Sequence, residues 1–237
     1  MTSTLSVINL SSAEILTQIT GQEIQSHHLT HRVMFLASLS TVLVGVSYAD
    51  EKLDTQEKIY LKKILSQFVL PESSTSKMIG LMLQNIARNK IYMQPDALKT
   101  LVHTLSNSEK VLMLGLGCKL ATVDGSVEES EKQYLRKIAQ VISIDSEHLN
   151  VLLSCLAEKG ISADWQAIEK ARYLLDPQHF QNIDPAIVKA ASYLCSKLPK
   201  QANPELGQAR KKPSYEKLES FQGFRGQLSA ICDELAS

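Results

Sequence analysis

The sequence predicts an all-α protein. Apolar residues recur at spacings of three and four along nearly the whole chain, which is the pattern of helices with one buried face. Runs that alternate strictly between apolar and polar residues, typical of strands, are almost absent. Helix start and stop signals divide the chain into about ten segments of ordinary helical length. Because 44% of the 237 residues are hydrophobic, a compact multi-helix core is expected.

The first long apolar segment, VMFLASLSTVLVGVSYA at 33–49, is predicted to be a buried core helix. It is nearly long enough to cross a bilayer, but serine and threonine interrupt it, it ends at Asp50, and it has no basic flank on that side. A buried helix is therefore favoured over a membrane span. Pro71 begins a break after the next amphipathic segment, and Pro95 suits the first turn of another helix.

Capping residues predict the helix starts of the second half. Ser108 is the expected N-cap before KVLML, and Ser146 the expected N-cap before EHLNVLLSCLAEK. Ser162 is expected to cap ADWQAIEKARYLL, in which Trp165 and Tyr173 lie at helical spacing and are predicted to be core residues. The pair Asp184 and Pro185 opens the helix after that.

These elements suggest five regions. They are an N-terminal helical extension (1–29), a compact helical domain (30–158), additional helices (159–198), a proline-containing basic linker (199–213) and a C-terminal amphipathic helix (214–237). The last helix carries an apolar stripe at Leu218, Phe221, Phe224, Leu228 and Ile231. Such a stripe must pack either on this core or on a partner.

Charge and cysteine content narrow the functional class. Lys plus Arg and Asp plus Glu are both 25, so no overall field attracts nucleic acid or anionic lipid. The N-terminus lacks the basic region and cleavage site of a signal peptide. The four cysteines are far apart and form no C-x-x-C pair, which indicates buried thiols in a reducing, cytoplasmic setting. They are Cys118, Cys155, Cys195 and Cys232.

Other constellations give weaker signals. His27 and His31 lie four apart with His28 alongside, a spacing used for zinc or nickel, but no nearby cysteine or carboxylate completes a site, and a solvated helix start is favoured. Gly115 and Gly117 lie within an apolar helix, where small residues allow close helix approach, and not after a strand as in a nucleotide-binding loop.

No pair of residues in the sequence forms a convincing catalytic site. Cys118 with the distant His103 fits a buried thiol better than a nucleophile. The chain is therefore expected not to be an enzyme.

An internal repeat is the most informative feature. Shifting the chain by 74 residues (122 minus 48) aligns 48–65, YADEKLDTQEKIYLKKIL, with 122–139, TVDGSVEESEKQYLRKIA. Each copy follows an apolar helix, so the repeating unit is helix, acidic turn, amphipathic helix. Two such units related by a pseudo-twofold axis would bury their apolar helices together. The acidic turns would then either meet or stay apart.

Helix capping explains part of the acidic pattern. Asp54 is a suitable N-cap with Glu57 three residues later, and Glu128 and Glu131 repeat the spacing. Lys58 and Lys132 are then placed for ion pairs four residues after the caps. Capping does not explain Asp50 and Asp124, since each follows the end of a helix, where the macrodipole disfavours an acid. An EF-hand is ruled out because half of its oxygen ligands are missing.

The duplicated motif resembles the tellurite-resistance TerB-like family, and also the N-terminal region of some membrane-bound DnaJ-like co-chaperones. The shared pattern, Ala-x-x-Asp-Gly-x-aliphatic-x-x-x-Glu after an apolar helix, is present in SYADEKLDTQEKIYL and LATVDGSVEESEKQYL, although Glu51 replaces the glycine in the first copy and Lys52 follows it. The resemblance covers about 30–157. It implies a compact helical fold with internal pseudo-symmetry, additional C-terminal helices outside it, and acids that bind a divalent cation, calcium or else magnesium or manganese. Carried over, the ligands would be Asp50, Asp54, Glu57, Asp124, Glu128 and Glu131.

Two functional hypotheses follow. The first is a non-enzymatic TerB-like protein that binds a divalent cation at its acidic turns and acts as a stress-response adaptor or sensor with a protein partner. The alternative is a metal-independent helical interaction module that uses the C-terminal helices, with the acids serving only as caps. Neither involves nucleic acid or a membrane span.

Overall fold

A computed structural model describes residues 3–24, 29–50, 55–69, 73–123, 125–156, 164–181 and 183–200. Within these ranges the chain forms ten α-helices and no strand, which confirms the all-α prediction. The helices are α1 (Ser3–Thr20), α2 (His31–Ser47), α3 (Thr55–Ser66), α4 (Ser74–Arg88), α5 (Pro95–Val102), α6 (Asn107–Ala121), α7 (Glu129–Val141), α8 (Ser146–Leu156), α9 (Trp165–Leu174) and α10 (Pro185–Lys197). Short 3-10 turns occupy Ile91–Met93 and Pro177–Phe180.

Helices α2 and α6 form the centre of the core. In α2 every residue from Met34 to Ser47 is buried, and most of α6 is buried as well. The two helices pack on each other, and each also contacts both α3 and α7. Because they are covered on all sides, they are apolar around their whole circumference. The segment at 33–49 is thus a core helix, and no helix of the described residues is long and apolar enough to cross a membrane.

The remaining helices cover this pair from two sides. Helix α1 packs on α4 and α5, and it contributes Leu16 and Ile19 to the core. Helices α8, α9 and α10 pack against α6. Gly115 permits this approach, since a Cβ there would lie 2.6 Å from Cδ1 of Leu194. The prediction that small residues of α6 allow close helix packing is confirmed.

The repeated units take the predicted form of apolar helix, turn and amphipathic helix. We call α2, the following turn and α3 the first unit, and α6, the following turn and α7 the second unit. Their amphipathic helices bury equivalent residues at Leu61 and Ile64 and at Leu135 and Ile138. The pseudo-twofold relation between the units stays a prediction.

Several predicted caps are shifted by one or two residues. The N-cap of α6 is Ser106 and not Ser108, because Oγ of Ser106 accepts the N–H of Glu109. Ser146 is the first helical residue of α8, and the carboxylate of Asp145 accepts the N–H of Glu147. A side-chain carboxylate or hydroxyl can cap a helix only when the backbone of its own residue is extended. The conformation of the preceding loop decides which residue that is.

The caps of the last two helices are both aspartates. Asp164 caps α9, whereas the predicted cap Ser162 lies outside the described residues. Asp184 caps α10 as predicted, with its carboxylate 2.8 Å from the N–H of Ala186.

The prediction that Trp165 and Tyr173 are core residues is wrong. They are 44% and 68% exposed, because α9 buries a different face through Ile168 and Ala171. The cysteine prediction holds fully only for Cys118, since Cys155 and Cys195 are half-buried. Cys232, residues 201–213 of the linker and the predicted C-terminal amphipathic helix lie outside the described residues.

Candidate functional site

The central helices α2 and α6 run in the same direction. At their N-terminal ends, Nε2 of His31 lies 2.5 Å from Oε1 of Glu109. Near their C-terminal ends, a Cβ on Gly117 would lie 3.4 Å from Cγ1 of Val42 and 3.7 Å from Cγ2 of Val46. The acidic turns that follow the two helices therefore leave the core at the same end of the α2–α6 pair.

A second contact places the amphipathic helix of the second unit beside the last turn of α2. A Cβ on Gly45 in the last turn of α2 would lie 1.8 Å from Oη of Tyr134 in α7, so only glycine leaves room for this ring. The Tyr134 hydroxyl donates to the carbonyl of Tyr92, at 3.2 Å. The ring of Tyr92 in turn stacks on Tyr48, with centroids 5.6 Å apart. The helix that leaves the second turn is thus packed beside the start of the first.

The second turn is described except at Asp124. Gly125 has a φ of +95°, a left-handed conformation that favours glycine, and its N–H donates to the carbonyl of Thr122. Glu128 is exposed and Glu131 is only 5% exposed. The carboxylate of Glu131 accepts the N–H of Glu128 at 2.8 Å. The predicted cap at the start of α7 is confirmed, and capping accounts for the position of Glu131.

The first turn is described only at its two ends. Asp50 and Glu57 are both half-buried, and Asp54 lies outside the described residues. The predicted cap by Asp54 therefore stays a prediction. Ser47, the last residue of α2, is fully buried, and its Oγ has no hydrogen-bond partner in the part of the chain that the structure describes.

The predicted ion pair of Glu128 with Lys132 is replaced by a different one. Nζ of Lys132 lies 3.7 Å from Oε2 of Glu129, and Nη1 of Arg136 lies 2.9 Å from Oε1 of the same carboxylate. The hydrogen bond from Arg136 lowers the pKa of Glu129. The basic side chains of α7 are thus drawn to Glu129, one residue beyond the cap.

The six predicted ligands provide only oxygen donors, which suit a hard divalent cation. The turns that carry them lie at one end of the core. Among the described residues, to which Asp54 and Asp124 do not belong, no group of three or more His, Cys, Asp or Glu side chains is arranged to hold a metal ion. Burial raises the pKa of the Cys118 thiol far above its ordinary value, and Glu131 adds to the shift.

The opposite end of the core holds a polar cluster that sequence reasoning missed. Glu109 is 1% exposed, and its Oε2 accepts from the N–H and the hydroxyl of Ser106. His31 thus has a carboxylate partner, Glu109, at the N-terminal end of the α2–α6 pair. His27 and His28 lie outside the described residues. The spacing Ser-x-x-Glu at 106–109 is a capping box and could have revealed this cluster.

The same cluster joins the C-terminal helices to the core. Nε of Arg32 lies 3.0 Å from Oδ2 of Asp184, and Oγ of Ser108 lies 3.3 Å from Nδ1 of His179. Nη2 of Arg32 also donates to the carbonyl of Phe68 at 2.6 Å. These pairwise contacts link the starts of α2, α6 and α10 with the turn after α3. The cluster therefore holds these segments together.

A family model described as tellurite resistance protein TerB matches residues 36–152. The match begins within α2 and ends within α8, so it covers the acidic turns of both units, and the later helices lie outside it. The chain has no significant match among curated proteins or among solved structures.

Proposed function

Residues 36–152 belong to the TerB family, and on that basis we propose that the chain is a non-enzymatic protein that binds a divalent cation between its two acidic turns. Asp50 and Asp124 are the principal ligands, with Asp54, Glu57 and Glu128 completing a set of oxygen donors. Glu131 acts mainly as the cap of α7.

The observation that carries this proposal is the common direction of α2 and α6. It brings two carboxylate-rich turns to one end of the core, and carboxylates that lie close together repel each other unless a cation neutralises them. A cation that binds only the folded protein stabilises it by about 2.7 kcal/mol at one hundred times its dissociation constant. Cation binding would therefore make the two acidic turns more rigid. A change of this kind suits a sensor or adaptor in a stress response.

The test is isothermal titration of the metal-stripped full chain with calcium, magnesium and manganese chloride. The wild type is expected to bind at least one of these ions saturably. The variant D50N/D124N is expected to lose the binding and to keep its far-ultraviolet circular dichroism spectrum. A matched control, D96N/E147Q, removes two exposed acids from the first turns of α5 and α8 and is expected to bind like the wild type.

Two results would contradict the proposal. If millimolar metal produced neither heat of binding nor thermal stabilisation, the acidic residues of the two turns would serve only as helix caps. Equal loss of binding in D96N/E147Q would mean that the ions respond only to overall charge. Either result favours the alternative, a helical interaction module that uses the C-terminal helices.

A further inference from the structure

A cavity lies at the N-terminal end of the α2–α6 pair, away from the acidic turns. Its volume is about 490 Å³, which is within the range of pockets that hold small molecules. Its walls come from the first residues of α2, from the turn before α6 with the first turn of that helix, and from the segment between the second 3-10 turn and α10. The first and the last of these segments lie outside the TerB match at 36–152. The cavity is therefore not a feature of the family domain alone.

The carboxylates at this cavity are already bonded within the protein. Glu109 is the one acid in the described wall. Its Oε1 contacts the ring of His31, and its Oε2 accepts from the N–H and the hydroxyl of Ser106. The carboxylate of Asp184 pairs with Arg32 and caps α10. Both acids thus serve the donors of the protein itself, so the cavity does not suit a cation.

Donor groups of the wall, in contrast, are left over. Arg32 uses Nε for Asp184 and Nη2 for the carbonyl of Phe68, so both N–H groups of its Nη1 have no hydrogen bond to a described residue. His179 lies with Nδ1 3.3 Å from Oγ of Ser108, and its Nε2 likewise has no hydrogen bond to a described residue. A guanidinium and an imidazole that are held by bonds on one side suit carboxylate and phosphate oxygens on the other.

The rest of the wall suits a ligand larger than a bare ion. Thr104 adds an exposed hydroxyl, and Leu105 and Ile183 add apolar surface. The starts of α2, α6 and α10 meet at this end of the core, and the peptide dipoles at helix starts favour a negative charge. A bare oxyanion would leave most of the cavity to water, whereas an anion with an apolar body would also cover the two aliphatic side chains.

We propose that this cavity binds a small organic anion. Its phosphate or carboxylate group bonds to Arg32 and His179, and its apolar body lies against Leu105 and Ile183. The bound anion links the start of α2 to the 3-10 turn before α10. The proposal is independent of cation binding, because none of its residues belongs to the acidic turns.

Isothermal titration of the metal-stripped full chain with phenyl phosphate, benzoate and inorganic phosphate tests the proposal. Arg32→Gln is expected to weaken binding of the organic anion at least about tenfold, because it removes a charge-assisted hydrogen bond. Since this variant also loses the ion pair with Asp184, Thr104→Asp provides a second test. It places a negative charge at an exposed position of the wall, leaves the ion pair intact, and is expected to weaken binding to a similar extent.

Two matched variants control for charge and for the loss of an ion pair. Arg136→Gln removes an arginine that is 52% exposed and pairs with Glu129 on α7. Asn150→Asp adds a negative charge at an exposed position of α8. Both are expected to bind the organic anion like the wild type, and all four variants are expected to keep the circular dichroism spectrum of the wild type.

The three probes identify the class of ligand. Saturable binding of phenyl phosphate that is tighter than that of benzoate assigns the site to phosphate esters, and the reverse order assigns it to carboxylates. Inorganic phosphate that binds as tightly as either would overturn the assignment of an organic ligand. No saturable binding of phenyl phosphate or benzoate at millimolar concentration would overturn the proposal, and so would unchanged affinity in Thr104→Asp or equal weakening in the controls.

Discussion

The two units share a sequence pattern but place their tyrosines in different environments. In the second unit the ring end of Tyr134 lies against Gly45 of α2, and the hydroxyl reaches the carbonyl of Tyr92. In the first unit Tyr60 is half-buried and hydrogen-bonds to Tyr193 of α10, outside the family match. Burial raises the pKa of both tyrosines, more strongly for Tyr134.

This difference follows from the neighbours of each unit and not from the repeat. Helix α7 packs on the unobstructed last turn of α2, where glycine replaces a side chain. Residue 119, which is equivalent to Gly45 after the 74-residue shift, is a lysine, so α3 finds no such gap in α6. The tyrosine of the second unit therefore packs on the central helix α2. The tyrosine of the first unit contacts α10, a helix of the C-terminal region.

The largest expected effect on stability is at Gly45, where the missing side chain leaves room for the ring of Tyr134. Gly45→Ala places a methyl group 1.8 Å from Oη of Tyr134, and expelling the ring costs more than the alanine gains in helix propensity. We expect a net loss of about 3 kcal/mol in the free energy of unfolding, measured by urea denaturation.

Two variants control for this effect. In Gly117→Ala the nearest neighbour is the flexible Cδ2 of Leu135 at 3.1 Å, and Val42 and Val46 stay at ordinary van der Waals distance, so a change within about 1 kcal/mol is expected. In a Tyr134→Leu background Gly45→Ala should become neutral or stabilising. Equal losses for Gly45→Ala and Gly117→Ala would mean that α7 does not pack on α2 in this way.

An intermediate effect is expected at the helix starts. Glu109→Ala removes the buried carboxylate that joins Ser106 to His31, and we expect a loss of about 2 kcal/mol because hydrogen bonds to a charged group are lost and the capping box of α6 is broken. Thr30 caps α2 only through the N–H of Val33, at 3.3 Å. Thr30→Ala should therefore cost about 1 kcal/mol or less.

Urea denaturation of the two variants at neutral pH measures this difference. A cost for Glu109→Ala that does not exceed the cost for Thr30→Ala would show that the polar cluster contributes no more than an ordinary cap.

The smallest effect is expected at the tyrosine hydroxyls. Tyr134→Phe removes one partly buried hydrogen bond and should cost about 1 kcal/mol, while Tyr60→Phe should cost less because its partner Tyr193 is 43% exposed. The unfolded chain releases tyrosine protons near pH 10, and the folded chain retains them because both pKa values are raised. Stability is therefore fully present below pH 10 and falls as the pH rises above it.

Unfolding measured between pH 8 and pH 11 tests the order of the two tyrosines. Tyr134→Phe should flatten the alkaline loss of stability more than Tyr60→Phe does. The reverse order would mean that the hydroxyl of Tyr60 is the more buried of the two.

Local sequence pattern is sufficient to predict the all-helical class, the apolar helices and the buried faces of both units. These depend on local periodicity, so Leu61, Ile64, Leu135 and Ile138 could be identified without knowing any neighbour. It also determined that Glu128 and Glu131 cap α7, because a capping box lies within four residues. Its failures at Trp165 and Tyr173 arose because helical spacing shows that a helix has faces but not which face is covered.

Features that depend on long-range packing become visible only in the three-dimensional arrangement of the helices. The common direction of α2 and α6 places both acidic turns at one end, which the repeat left open. Gly45 and Tyr134, which are in contact, lie 89 positions apart in the sequence (134 minus 45). His31 and Glu109 lie 78 positions apart (109 minus 31). Such contacts leave no local periodicity in the sequence, because they arise when whole helices settle into close packing.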